Sequence, residues 1–294
     1  MVDDSDISIL VCTRNRAASL ACTLASIERL EGKSLLKWEV VVVDNGSSDH
    51  TQAVLADFAR RLPLRGVVET RRGLAASRNT ALRSAKGRVI LVTDDDCLVA
   101  ADWLTTAMRL LRDDPLQMIG GRVELADPED LPLAIKTSLT RECLTEIGGL
   151  WGFLHGANMA FGREVAQRAG LFDVRFGAGA TLRSAEDIDF VYRAWQAGVP
   201  VTYEPDLLVH HRHGRRGLLT WYDQVGDHSF GFGAMAMKYA LQGDFKPLRA
   251  LYWDMNSTLR MWRKDRGEWR RIPAKLRAIP GSLGFLRIRN HLAI

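Results

Sequence analysis

Three consecutive aspartates, Asp94-Asp95-Asp96, directly follow the apolar run Val89-Ile90-Leu91-Val92-Thr93. Adjacent carboxylates repel one another, and a buried strand gains nothing structural by running into three of them. A hard divalent cation relieves that repulsion, and oxygen ligands suit Mg2+ or Mn2+ held jointly with nucleotide phosphates. Alternation in an extended chain puts Asp94 and Asp96 on one side and Asp95 on the other. The same residues are also compatible with a solvated acidic loop, or with a cap for a helix starting near Ala101. A further carboxylate, Asp44, opens the turn Asp44-Asn45-Gly46-Ser47-Ser48-Asp49. It suits the imide N–H of a pyrimidine or a ribose hydroxyl, and equally an Asx turn satisfying its own backbone. Glu186-Asp187 heads a helical pattern, where its plain reading is an acidic first turn favoured by the helix dipole.

These groups need elements to position them. Ile7 to Cys12 and Trp38 to Val43 read as buried strands, the second with four consecutive valines as expected of a strand covered on both faces. Helical patterns run from about Ala17 to Leu30, Thr51 to Arg61, and Gly73 to Gly87. A strand from Arg88 to Thr93 ends at the aspartates, and a helix from Ala101 to Arg112 and a strand from Gln117 to Glu124 follow. The alternation is that of a mostly parallel sheet with helices packed on it, with each polar cluster at a strand's carboxyl end. Further on, a strand near Asn158, a helix from Ser184 to Gln196 and a strand from Val199 to Glu204 are expected.

Taken in order, these segments resemble glycosyltransferase family 2. The resemblance rests on Cys12-Thr13-Arg14-Asn15-Arg16, the Asp44 turn, Gly73 through Arg78-Asn79 with Ala81, and Asp94-Asp95-Asp96. It continues through His155-Gly156-Ala157-Asn158-Met159-Ala160-Phe161, Ala185-Glu186-Asp187-Ile188-Asp189-Phe190, and His210, His211 and His213. It implies an α/β GT-A fold with a Rossmann-like, mostly parallel sheet over residues 1–215, followed by a helical basic extension over 216–294. It also implies an inverting, Mn2+- or Mg2+-dependent transfer from a nucleoside-diphosphate sugar, UDP-linked in the first instance, to a hydroxyl acceptor. That acceptor is a glycan, a lipid-linked sugar or a small molecule.

By the same resemblance, Thr13, Arg14, Asn15 and Asp44 hold the donor's base and ribose, and Arg78 lies near the nucleotide or diphosphate. Asp94 and Asp95 face the ribose and diphosphate, and Asp96 ligates the metal. Gly156, Ala157 and Asn158 line the sugar and acceptor side. The stretch from Trp221-Tyr222 to Phe230-Gly231-Phe232-Gly233 reads as a flexible loop near the mouth of the acceptor site, because glycines beside aromatics permit movement. Asp187 is the base that takes the acceptor's proton, with Glu186 holding Asp187 or binding an acceptor hydroxyl, while Asp189 is structural. Three histidines compete for one metal or diphosphate position. His211 is favoured and His213 held in reserve, since alternate residues share a face, and a basic surface loop is the plain alternative.

Composition sets the remaining bounds. The 294 residues are 47% hydrophobic and 26% charged, an ordinary globular balance. The acidic start, Met1-Val2-Asp3-Asp4-Ser5-Asp6, lacks the features of a signal peptide, and no apolar run approaches the roughly 18 residues of a membrane span. A cytoplasmic protein is therefore expected, at most peripheral at the inner face of the membrane. Cys12, Cys22, Cys97 and Cys143 show no CxxC pairing and read as reduced packing residues.

The net charge of +5 is unevenly spread. From Leu248 to Ile294 there are 11 Lys and Arg against 3 Asp and Glu, interleaved with Trp253, Trp262 and Trp269. Such a tail suits an anionic membrane surface, a homodimer interface or packing back on the domain. No nucleic-acid motif accompanies the charge, so no nucleic-acid partner is expected. A sugar-1-phosphate nucleotidyltransferase would need a glycine-rich loop after the first strand, and Thr13-Arg14-Asn15-Arg16 has no glycine. A catalytically silent nucleotide-sugar-binding protein would be expected to lack Asp96 or Asp187, and both are present.

Overall fold

The computed structural model describes residues 6–112, 114–264 and 274–291, with side chains described up to residue 258 in the second span and residue 287 in the third. The first half alternates strand and helix as its hydrophobic pattern demands: β1 (Ile7–Thr13), α1 (Ala17–Glu28), β2 (Trp38–Asp44), α2 (Thr51–Phe58), β3 (Leu64–Val68), α3 (Leu74–Ser84) and β4 (Val89–Asp94). These four strands pair in parallel in the order β3-β2-β1-β4. In β2, Val40 and Val42 join the core under α1 and α2, while Val41 and Val43 join the core on the opposite face. The valine run is thus buried on both faces, with side chains alternating between two cores.

The second half is mixed. A short β5 (Cys97–Val99) and α4 (Trp103–Leu111) lead to β6 (Met118–Leu125), β7 (Glu142–Cys143), β8 (Asn158–Gly162), α5 (Arg163–Ala169), α6 (Glu186–Gln196) and β9 (Val201–His211). β8 lies between β4 and β6 and is antiparallel to both, β9 runs parallel to β6, and β5 closes the sheet antiparallel to β9. β9 runs well past Glu204, where the sequence pattern expects it to stop. Its register against β6 jumps from Gly121↔Glu204 to Arg122↔Leu208, so Pro205 to Leu207 bulge out. A bulge has no ladder bond for proline to lose, so the strand continues and brings its histidines to the sheet.

Three helices follow: α7 (Leu218–Ala240), α8 (Lys246–Lys264) and α9 (Ala278–His291). Ala234, Met235 and Tyr239 of α7, Ala250 of α8 and Phe285 of α9 belong to the same core cluster as Phe161 and Phe190. The extension therefore packs back on the sheet domain. α7 runs unbroken through Gly226, Gly231 and Gly233, where the sequence suggests a flexible loop. The glycines serve close approach instead: a Cβ on Gly233 would lie 1.9 Å from the Ala278 carbonyl oxygen, and one on Gly231 2.2 Å from Ser184 Oγ. Intrinsic helix propensity, about 1 kcal/mol unfavourable per glycine, yields to that packing. Tyr252, Ile279 and Leu283 are exposed on α8 and α9. Trp269 and the side chain of Trp262 lie outside the described residues, and no described helix is long and apolar enough to cross a membrane.

Candidate active site

The carboxyl ends of β1 and β4, the segment before β8, the head of α6, the end of β9 and one face of α7 surround a cavity of about 720 Å³. The three aspartates enter it through a tight turn between β4 and β5, so strict strand alternation does not hold. Asp94 ends β4 and accepts from Arg78 Nη2 at 3.0 Å. Asp95 and Asp96 both meet Arg16, at 3.2 and 2.7 Å. Asp95 also accepts from Thr13 Oγ1 at 2.7 Å. Burial pushes the Asp95 carboxyl up to about 7, against the pull of Arg16 and Thr13. Burial acts on Asp96 in the same direction, yet His211 and Arg16 hold it well below the ordinary carboxylate range. Arg16, part of the first loop motif but given no role from sequence, is thus the cation shared by two of the three aspartates.

Pairing of β5 with β9 places Cys97 opposite His211, which sets the imidazole beside Asp96 with Nε2 3.2 Å from Oδ1. The three histidines separate cleanly. His210 points to the other face, toward Glu124 at 3.7 Å. His213 is fixed between the Leu131 carbonyl and the Arg215 N–H. His211 is buried with Nδ1 lacking a hydrogen-bond partner among the described residues. Ligand atoms of Asp96, Cys97 and His211 lie within 4.8 Å of one another. Burial raises the Cys97 thiol well above its ordinary range, so it stays protonated and is a poor ligand for a hard cation. The donor set that fits Mn2+ or Mg2+ is therefore Asp96 with His211, completed by oxygens of a ligand.

Across the cavity, α6 opens on Glu186 and Asp187. The turn before it holds Arg183 and Ala185 at φ 66° and 72°, a left-handed conformation uncommon outside glycine. Asp187 Oδ2 accepts from the Gly156 N–H at 2.9 Å and Oδ1 from its neighbour Ile188 N–H at 2.9 Å, which fixes the plane of the carboxylate. Glu186 is buried and bonds Arg78 Nη1 at 2.9 Å rather than Asp187. Arg78 thus bridges Asp94 to Glu186, and burial opposes its charge while Asp94, Glu186 and Asp187 retain it. Gly156 has no side chain because the guanidinium occupies its place: a Cβ there would lie 2.5 Å from Arg78 Nη2. Asp189 is buried against Lys238, Tyr239 and Arg193, a structural position.

The structure places other expected residues as follows. Thr13, Arg14, Arg78, Asp94, Asp95, Asp96, Gly156, Ala157, Glu186, Asp187 and His211 line the cavity. Asn15 instead ties the first two loops together, accepting from the Ser48 N–H at 2.7 Å. Asp44 forms the Asx turn, accepting from the Ser47 N–H at 2.9 Å and from Gln52 at 2.6 Å, and is not part of the lining. Asn158 departs most from the sequence-based expectation. It is fully buried and accepts from Trp103 Nε1, while donating to the carbonyls of Arg122 and Leu207, so it pins the sheet rather than facing the cavity. Sequence reasoning set the stretch holding Gln224, Asp227 and His228 near the acceptor mouth only as a loop, and named no site role for these residues or for His155, Arg183 and Arg215, all of which line the cavity. The available signal was the spacing of the α7 residues on one helical face, obscured by reading that segment as a loop.

A parallel βαβ half ending in acidic loops, joined to a mixed half that brings a helix-head carboxylate and a strand-end histidine to one cavity, is the GT-A glycosyltransferase architecture. A mannosyltransferase from Pyrobaculum calidifontis, solved with GDP-Man and Mn2+, superimposes with a TM-score of 0.66 at 22% identity, covering 96% of this chain and 87% of that one. The chain belongs to glycosyl transferase family 2, whose family model matches residues 8–170. Among named relatives, a chondroitin synthase of Escherichia coli is 28% identical over 228 residues, covering 65% of this chain and 32% of the relative. Glycosyltransferase AglE of Haloferax volcanii is 25% identical over 206 residues, covering 69% of this chain and 65% of that protein. The chain thus spans a third to two thirds of the length of these two relatives.

Proposed function

We propose that this chain transfers a sugar from a nucleoside-diphosphate sugar to a hydroxyl acceptor, with inversion at the anomeric carbon and dependence on Mn2+ or Mg2+. The observation that carries the reading is the placement of Asp187, oriented by the Gly156 N–H, in the same cavity as the Asp96–His211 pair. Inversion in one displacement needs a single carboxylate on the acceptor's side. Asp187 takes the acceptor's proton as its oxygen bonds to the anomeric carbon and the bond from that carbon to the diphosphate oxygen breaks. The products are the new glycoside and a nucleoside diphosphate. Asp96 and His211 would hold a divalent cation, which would supply positive charge to the leaving diphosphate. Arg14 and Arg72 line the cavity and add charge of the same sign. A UDP-sugar is put first because the family resemblance implies it. Asp44, the carboxylate expected to meet the base, is buried outside the cavity lining with its oxygens bonded to Ser47 and Gln52, so the base is decided by the screen below.

The test is a thermal-shift screen of UDP-, dTDP-, GDP- and CMP-sugars with Mn2+, Mg2+ or chelator. The expected result is stabilisation by one nucleoside-diphosphate sugar that requires metal and is lost in Asp96→Ala. Stabilisation that ignores both the chelator and Asp96→Ala would place the nucleotide elsewhere.

A further inference from the structure

The family match ends at residue 170, and the cavity wall beyond Asp187 comes from α7. Gln224, Asp227, His228 and Phe232 occupy one face of that helix at i, i+3, i+4 and i+8, and all four line the cavity. Asp227 is matched by Arg183 at 2.7 Å. The Gln224 amide and the His228 ring make no hydrogen bond with any described residue. Phe232 stacks on Trp151 with centroids 4.4 Å apart, which backs its ring from behind. His155 lines the cavity near this face, and burial lowers both imidazoles, His155 to about 4. At neutral pH both rings are therefore uncharged; His155 bonds the Ile135 backbone and offers a lone pair, while His228 carries one N–H and one lone pair.

α7 is also docked on the strained turn that opens α6. Ser184 Oγ donates to the Asp227 carbonyl at 2.9 Å, and Gly231 packs against Ser184. The helix face and Asp187 are thus held relative to one another by a single turn.

We infer that this face of α7 is the acceptor subsite and that it takes a pyranose ring, presenting one ring hydroxyl to Asp187. This inference rests on the transfer reading above. A pyranose combines an apolar C–H face with hydroxyls that both donate and accept. The wall offers an aromatic ring beside an amide, two neutral imidazoles and a self-matched carboxylate–guanidinium pair. A polyprenyl or acyl chain would need a continuous apolar lining, which these polar groups interrupt. A phosphate would need more than one free cation, and of the two arginines at this wall Arg183 is already matched by Asp227. Arg215 has no carboxylate partner among the described residues, so a ring bearing an acid group is accommodated as well as a neutral one.

The experiment is saturation-transfer NMR on the full chain with UDP and Mn2+, or GDP and Mn2+. The probes are p-nitrophenyl β-glucoside, N-acetyl-β-glucosaminide and β-glucuronide, with glycerol and farnesyl phosphate for comparison. The expected result is binding of at least one pyranoside to the wild type. Its Kd should rise about tenfold or more in the Gln224→Ala/His228→Ala double variant, with nucleotide affinity and melting temperature unchanged. Glucuronide binding that also depends on Arg215 would support an acidic ring, and binding independent of Arg215 a neutral one. Pyranosides binding wild type and double variant alike, or no probe binding except farnesyl phosphate or glycerol, overturns the subsite. Failure of the wild type to bind any of UDP, dTDP, GDP or CMP with Mn2+ or Mg2+ overturns the transfer reading itself, and the subsite with it.

Discussion

The two halves of the cavity are assembled in different ways. In the parallel half, the neighbouring strands β2, β1 and β4 end side by side at one edge of the sheet, so the loops that follow them meet directly, as Asn15 with Ser47 and Ser48, or Thr13 with Asp95. In the mixed half, groups are brought together by packing between elements that share no such parallel edge. Asp187 is oriented by Gly156, His211 reaches Asp96 only through a bulged strand, and α7 leans on the turn before α6. The parallel half is a row of short motifs along one repeating sheet edge, while the mixed half depends on a bulge, a turn with positive φ angles and buried polar residues. Arg78 and Asn158 are the two side chains that most clearly join or hold these parts, and the comparison can be broken at each.

Arg78 spans both halves, so its loss should cost more than any change local to one of them. Arg78→Met leaves Asp94 and Glu186 near Asp187 with no buried cation and is expected to destabilise the protein by about 3–5 kcal/mol in urea unfolding. A cost under about 1 kcal/mol would mean that the guanidinium does not tie the halves together. Asn158→Ala orphans the Trp103 indole N–H and two carbonyls in the mixed half, for an expected loss of about 3 kcal/mol. Nucleotide binding at the parallel half should survive this change at temperatures where the variant stays folded. Equal loss of stability and of nucleotide affinity would show that Asn158 serves the ligand directly.

The smallest effect concerns protons. Burial, with Asp187 beside it, raises the Glu186 carboxyl from 4.5 to about 7 against the pull of Arg78. Between those values the folded protein keeps a proton that the unfolded chain has released, so this contribution to stability falls as pH rises through that window. Glu186→Gln should remove that part of the slope, read as the difference between variant and wild-type melting temperatures from pH 5 to pH 7. Parallel curves over that range would mean that Glu186 is ionised throughout.

The same contrast decides what was legible in the sequence. The parallel half could be read almost residue by residue, since strand periodicity placed β1, β2 and β4 and each polar cluster fell at a carboxyl end. The turn geometry was less visible: one residue after β4 the chain bends, and Asp95 and Asp96 come to share Arg16 instead of facing opposite ways. In the mixed half, residue types announced Asp187 and His211, but their partners did not follow from local pattern. Pro205 hid the continuation of β9, because a bulge depends on the neighbouring strand. Three glycines disguised α7, because their purpose lies in what Arg277, Ser184 and Ala278 press against them. Asn158 looked like part of a cavity motif, and only the sheet register shows it reaching across three strands.

The most direct test of the account is donor binding and turnover in Asp187→Asn, measured with the nucleotide sugar and metal that stabilise the wild type. The account predicts donor affinity within about twofold of wild type and kcat lower by roughly 10²- to 10⁴-fold, because the amide keeps the shape but cannot accept the proton. Turnover near the wild-type value would show that another group removes the acceptor's proton and would contradict the assignment of Asp187.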